Sequence, residues 1–233
     1  MKVPFLTPQS IERSTLSLIA AYENSFGKIV SPPIPVEEII ECHLQLDFRF
    51  EDLKSSFGSD DVLGATWIAE RKVRVDESLD PTVHPAKEGR YRFTLGHEAG
   101  HWELHRPVLE AHAGQGVLFA SETPPPVVCR TSASKEPMEW QADTFAGYLL
   151  MPEEMVRRIW REVFGSTEPY VAVAEIAART AAWSLAEDRT PTVTIAREMA
   201  EVFKVSGQAM QIRLIGLGLI RTQAPPPSLF TTV

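Results

Sequence analysis

Two histidines and a glutamate in the stretch His97-Glu98-Ala99-Gly100-His101 form an HExxH motif. On a helix, side chains four positions apart project from one face, so the two imidazoles can bind a single zinc ion. Glu98 lies about 100° round the helix, where it can act as general base on a water molecule. The motif therefore predicts metal-assisted hydrolysis, and the alternative is the exposed polar face of an amphipathic helix.

A catalytic zinc site usually has three protein ligands and an open fourth position, so a third ligand is needed. The extended motif HExxHxxGxxH is excluded, because Leu104 and Pro107 stand where it requires glycine and histidine. His105 continues the stripe of His97 and His101, but three residues spaced by four span about 12 Å of helix axis. We therefore do not expect His105 to bind the same ion.

A better candidate for the third ligand is Glu139, on a helix predicted over residues 136–150. Asp143 follows four positions later on the same helix face. If this helix packs against the HExxH helix, Glu139 can be the third ligand, and Asp143 can accept the free ring N–H of His97 or His101. The alternative is that both carboxylates form the solvated side of their helix. An HExxH motif upstream favours the ligand hypothesis.

The surrounding elements indicate an α+β fold with a small antiparallel sheet in front of the active-site helix. Alternating apolar residues predict a strand over 44–50, and two more strands over 64–69 and 73–76 suit a hairpin. The HExxH helix is predicted over 91–105. Residues 106–135, which include three consecutive prolines, are interpreted as a long surface loop. Cys129 lies in this loop; zinc would accept its thiolate, but we interpret it as a packing residue.

The C-terminal half is predicted to be mainly helical, and two helices over 192–203 and 206–220 resemble a helix-turn-helix unit with Ser206 as N-cap. A DNA-reading unit should carry a basic cluster on its second helix. That helix offers only Arg213, with Arg221 at its end. We therefore favour a structural or protein-recognition role over DNA binding.

Composition and charge narrow the class of protein and its compartment. The 233 residues carry a net charge of −8, which argues against a broad phosphate-binding surface. Two cysteines, Cys42 and Cys129, argue against a disulfide framework and fit a reducing cytosol. Apolar runs fall short of the roughly 18–20 residues of a membrane span, and from the first residues we expect no secretory signal. We expect a cytoplasmic protein with no membrane partner.

Three blocks of sequence together resemble the ImmA/IrrE-type family of zinc metallopeptidases, which are HExxH enzymes of gluzincin-like type: Phe93–His101, Glu139–Ala146 and Leu149–Pro152. The resemblance implies a zincin-like fold and a zinc-dependent endopeptidase that cleaves helix-turn-helix repressors of stress responses or mobile elements. It implies that His97, His101 and Glu139 bind one Zn²⁺ per chain and that Glu98 is the base. A position that is often a carboxylate in the family is Gln141 here, which places more weight on Glu139.

These observations predict a zincin-like metallopeptidase domain over residues 1–165, a helical region with the helix-turn-helix-like unit over 166–223, and a loose tail over 224–233. The alternative function is a non-proteolytic transcriptional regulator that binds DNA or a repressor. An intact HExxH motif with a plausible third carboxylate favours the enzyme, because such a regulator has no need of a general base.

Overall fold

A computed structural model describes residues 3–116, 127–130, 136–183 and 190–223. The chain divides into two compact units, the first made of residues 1–152 and 203–205, the second of residues 153–202 and 206–233. The predicted loose tail lies outside the described residues. Within the described ranges, no helix combines the length and the apolar character of a membrane span.

A four-stranded sheet in the order β1-β3-β2-β4 lies in the first unit. Its strands are β1 (Asp47–Glu51), β2 (Val62–Trp67), β3 (Lys72–Asp76) and β4 (Val127–Arg130). Strand β2 runs antiparallel to both of its neighbours, whereas β1 runs parallel to β3. The expectation of a purely antiparallel sheet is therefore wrong at β1. Strand β3 lies between β1 and β2, and because it is parallel to β1 and antiparallel to β2, the two outer neighbours run in opposite directions.

Within the described part of the first unit, six α-helices accompany this sheet. They are α1 (Pro8–Phe26), α2 (Val36–Glu38), α3 (Leu53–Phe57), α4 (Glu88–Gly100), α5 (Arg106–Gly116) and α6 (Pro137–Leu150). A π-helical turn, His101–His105, joins α4 to α5. Helix α4 packs against α6 on one side and against β2 and β3 on another, while α1 also packs against α6. The HExxH helix therefore lies between the sheet and the second helix with candidate ligands.

The interpretation of residues 106–135 as a loop is wrong in two places. Residues 106–116 are helical and residues 127–130 form β4, while 117–126 and 131–135 lie outside the described residues. Pro107 is the second residue of α5, which follows the π-helical turn His101–His105 directly, so the helical segment continues through this proline. Strand β4 has its backbone partners in β2, which is distant in sequence.

Helices α4 and α6 approach each other closely at two glycines. A Cβ atom on Gly96 would lie 3.2 Å from Cβ of Ala146, and one on Gly100 would lie 3.1 Å from Cα of Ala142. Both partners are small and fully buried. Larger residues at these glycines would force the two helices apart, because the atoms they would meet include helix backbone.

The second unit is mainly helical. It contains α7 (Glu153–Phe164), α8 (Val173–Trp183), most of α9 (Thr194–Phe203) and α10 (Gly207–Gly216), with a short parallel pair formed by β5 (Tyr170–Val171) and β6 (Ile220–Arg221). The prediction of Ser206 as N-cap is confirmed, because its hydroxyl accepts the N–H of Ala209 at 3.1 Å. Residue 220 was predicted to end the second of the two helices and instead pairs in β6 with β5.

Candidate metal centre

The motif residues and the downstream carboxylates lie on facing elements. His97 and Glu98 are near the end of α4, and His101 is the first residue of the π-helical turn. Glu139 and Asp143 lie on α6. Because α4 packs against α6, side chains separated by some forty positions in sequence lie within contact distance.

The three predicted zinc ligands lie together. Nε2 of His97 lies 2.8 Å from Nε2 of His101 and 3.3 Å from a carboxylate oxygen of Glu139. The other oxygen of Glu139 is 3.5 Å from Nε2 of His101. The two distances to Glu139 are close to the spacing of about 3.3 Å between ligand atoms of a tetrahedral ion with bonds of 2.0–2.1 Å, and the two Nε2 atoms lie closer together than that. The geometry and the donor types fit zinc, and the ligand roles themselves stay a prediction.

The ring nitrogens on the far side of both histidines are already engaged, which leaves their Nε2 atoms for a metal. Nδ1 of His97 lies 2.8 Å from Oδ1 of Asp143. The sequence left open which histidine Asp143 would contact, and in the structure it is His97. A carboxylate at Nδ1 orients the ring and increases the basicity of Nε2.

His101 is held by a chain of hydrogen bonds that sequence reasoning missed. The amide of Gln141 donates to the carbonyl of Pro4 at 2.8 Å, so its oxygen faces His105 and accepts the Nε2–H at 3.0 Å. Nδ1 of His105 is then an acceptor for Nδ1–H of His101, 3.0 Å away. This arrangement leaves a lone pair on Nε2 of His101. The signal available in the sequence is the continued stripe of histidines at four-residue spacing.

Glu98 is completely buried beside this cluster. One of its carboxylate oxygens, Oε2, accepts a hydrogen bond of 2.6 Å from the hydroxyl of Thr66 on β2. The other oxygen, Oε1, has no hydrogen-bond partner among the described residues. Burial raises the pKa of Glu98 to about 7, against the lowering effects of His97 and Thr66. A buried carboxylate with one anchored and one free oxygen has the features expected of a general base.

Burial and neighbouring charges shift the pKa values of His97 and His101 in opposite directions. For His97, burial lowers the pKa, but contacts with Asp143, Cys129 and Glu139 raise it well above the ordinary value. For His101, burial and the neighbouring His97 and His105 lower the pKa well below the ordinary value. Without a metal, at most one of the two imidazoles, His97 or His101, is therefore protonated, because two adjacent imidazolium groups would repel each other.

Cys129 also lies at this cluster. The sequence predicted it in a loop. It is a buried residue of β4. Its sulfur, a ring nitrogen of His97 and a carboxylate oxygen of Glu98 all lie within 4.8 Å of one another. The interpretation of Cys129 as a loop residue is therefore wrong, because β4 pairs with β2 and places the cysteine next to the candidate base.

Together, the mixed α+β fold and the HExxH helix facing a carboxylate-bearing helix are typical of metallopeptidases. Residues 83–214, more than half of the chain, match the model of the Peptidase_M78 family, described as the IrrE N-terminal-like domain, and the chain belongs to this family. The match confirms the resemblance to ImmA/IrrE-type proteins.

Other known proteins add little to this assignment. No curated protein matches the chain. Among solved structures, a Mycobacterium tuberculosis transcriptional regulator is similar, with 12% sequence identity and a TM-score of 0.45 over 89% of this chain and 47% of that one. The chain thus spans about half the length of that structure. A likeness this distant supports no conclusion about function.

The close approach of α4 and α6 generates a prediction for Gly100→Val. The added side chain would meet the backbone of Ala142 and force the helices apart, at a cost of about 1–3 kcal/mol of folding free energy. We expect a lower midpoint of thermal unfolding and loss of most bound zinc, measured by calorimetry and elemental analysis.

Gly147→Val on α6 is the matched control, since a Cβ there meets nothing within 4 Å. Equal zinc contents in the two variants would contradict the proposed role of this packing.

Proposed function

We propose that this chain is a zinc-dependent endopeptidase. The observation that carries the proposal is the convergence of His97, His101 and Glu139 within 4.8 Å of one another, beside the buried carboxylate of Glu98. Two imidazoles and one carboxylate are a donor set found in catalytic zinc sites. We further propose that the fold is zincin-like, with the catalytic domain over residues 1–165, and that the protein is cytoplasmic.

The side chains of this site have separate tasks in the proposed reaction. His97, His101 and Glu139 would hold one zinc ion, which would supply Lewis-acid polarisation of the scissile carbonyl. Glu98 accepts a proton from the attacking water and delivers it to the leaving amide nitrogen. Its oxygen Oε1 is suited to both transfers, because Oε2 is occupied by the hydroxyl of Thr66. Asp143 and His105 keep the two imidazoles in the required orientation.

We propose a helix-turn-helix repressor of a stress response or mobile element as the substrate. Family membership supports a protein substrate, and the net charge of −8 is complementary to a basic DNA-binding protein. The bond to be cut should lie in an extended or locally unfolded segment, since a helical backbone cannot present its carbonyl to both metal and water.

A non-proteolytic transcriptional regulator is the second candidate function. It would use residues 166–223, where α9 and α10 are the two helices of the predicted helix-turn-helix-like unit. Of the basic residues expected to face DNA, Arg213 on α10 is buried, with only 8% of its surface exposed. Its burial favours a structural role over direct DNA binding.

The role of the general base is tested by Glu98→Gln. The substitution is nearly isosteric and removes no predicted ligand, so we expect unchanged fold and zinc content. Loss of the base should slow cleavage by roughly 10²–10⁴ or more. Peptidase assays with zinc content measured in the same samples would check this expectation. Full activity at equal zinc content would remove Glu98 from the mechanism.

The two carboxylates of α6 are distinguished by their substitution to alanine. If Glu139 is a ligand, Glu139→Ala should abolish zinc binding almost completely. If Asp143 acts only through His97, Asp143→Ala should weaken zinc binding by roughly 10–100-fold. Competition titration against a chelator measures both affinities. The reverse order of severity would show that the two roles had been exchanged.

The proposed substrate is tested by co-expression with a helix-turn-helix repressor encoded beside this gene. We expect one discrete fragment of the repressor with the wild-type protein and none with Glu98→Gln. Fragment masses from mass spectrometry would locate the cleaved bond. Intact repressors combined with free digestion of unfolded casein would indicate a general protease and contradict a regulatory function.

A further inference from the structure

Strand β4 places a cysteine on the face of the sheet that meets the active-site helix. Two residues of β2, Gly64 and Thr66, mark this face: Thr66 bonds Glu98, and a Cβ atom on Gly64 would overlap Oε1 of Glu98. In the antiparallel pairing, Cys129 lies opposite Gly64 and Val127 lies opposite Thr66. Directly opposed residues of an antiparallel pair project to the same face. The Cys129 side chain therefore points toward Glu98.

The burial and contacts of Cys129 agree with this direction. The residue is 8% exposed, and its sulfur belongs to a group with His97 and Glu98 whose possible ligand atoms all lie within 4.8 Å of one another. His97 is also a member of the group formed with His101 and Glu139. The two groups share His97, and within this limit no group of described residues contains Cys129 together with both His101 and Glu139. The sulfur therefore lies beside the predicted ligand set and must move closer to it to bind the same ion.

A second observation points to a ligand position beside the thiol. Oε1 of Glu98 belongs to a completely buried side chain, yet it has no hydrogen-bond partner in the described part of the chain. A buried carboxylate oxygen without a partner is costly unless another species is bound there. Zinc sites are commonly four-coordinate, and thiolate sulfur is a favoured zinc donor. His97, His101 and Glu139 supply three positions, and Cys129 is the nearby donor for the fourth.

We propose that Cys129 is a fourth, displaceable ligand of the metal, an inference that rests on the proposed zinc site. When the sulfur binds, the thiol releases its proton to solvent and forms a metal–sulfur bond. When water replaces it, that bond breaks and the sulfur takes up a proton again. A site with Cys129 bound has four protein ligands and resembles a structural zinc site, whereas catalysis requires the fourth position for water.

The same strand covers the backbone edge of β2. Extended peptides commonly bind proteases and other partners by adding a strand to an exposed sheet edge. A substrate segment that paired with β2 would have to replace β4. Replacement of β4 would withdraw Cys129 and free the fourth metal position at the same time. The resting protein is then expected to have low peptidase activity, and Cys129→Ser is expected to raise it.

The test uses the full-length protein with cobalt(II) in place of zinc. We expect wild type to bind one equivalent and to show the intense near-ultraviolet absorption of thiolate-to-cobalt charge transfer. Cys129→Ser should bind the same amount of cobalt without this band. Cys42→Ser is the matched control: Cys42 is exposed, so the band should persist.

One bound equivalent without a band in wild type would overturn the inference and leave the zinc site intact. Absence of bound cobalt would contradict the zinc site as well.

A second measurement needs no variant. Wild-type protein is treated with iodoacetamide with and without one equivalent of zinc, and the modified cysteines are located by mass spectrometry. Metal coordination should slow the alkylation of Cys129 by about tenfold or more, since the free thiolate is the reactive species. Cys42 provides the internal reference and should react at the same rate in both samples. Equal rates for Cys129 with and without bound zinc would overturn the inference.

Discussion

The close packing of α4 against α6 is the constraint on which the candidate metal centre depends. Gly96 and Gly100 allow the helix backbones to approach within van der Waals contact of Ala146 and Ala142. At this separation Glu139 reaches both imidazoles of the HExxH motif, whose own spacing is fixed by the helix. The glycine within the motif is therefore part of the site, although it contributes no ligand atom.

Burial of so many polar groups is tolerated because nearly every one has a partner. Asp143 engages His97, and the chain through His105 and Gln141 engages His101. These contacts offset the loss of hydration and also select the ring nitrogens that face the centre. The unpartnered oxygen of Glu98 is the exception within this cluster. Such an exception is characteristic of a group whose partner arrives with the reaction.

The sequence predicted those parts of the site that depend on local helical spacing. His97, Glu98 and His101 follow from one motif, and Glu139 with Asp143 follow from a second helix with four-residue spacing. The partner of Asp143 stayed open because it depends on how α6 is rotated against α4. The parallel pairing of β1 and the existence of β4 were not predicted, because both arise from backbone contacts between distant segments. The proximity of Cys129 to His97 follows from β4 and was hidden for the same reason.

The joint binding of one zinc ion by His97, His101 and Glu139 can be measured by elemental analysis of the purified protein after incubation with zinc and removal of excess metal. We expect one equivalent of zinc per chain in wild type and almost none when His97 and His101 are both replaced by alanine in a protein that remains folded. No zinc above background in wild type, or an equal amount in the double variant, would show that these residues do not form a zinc site.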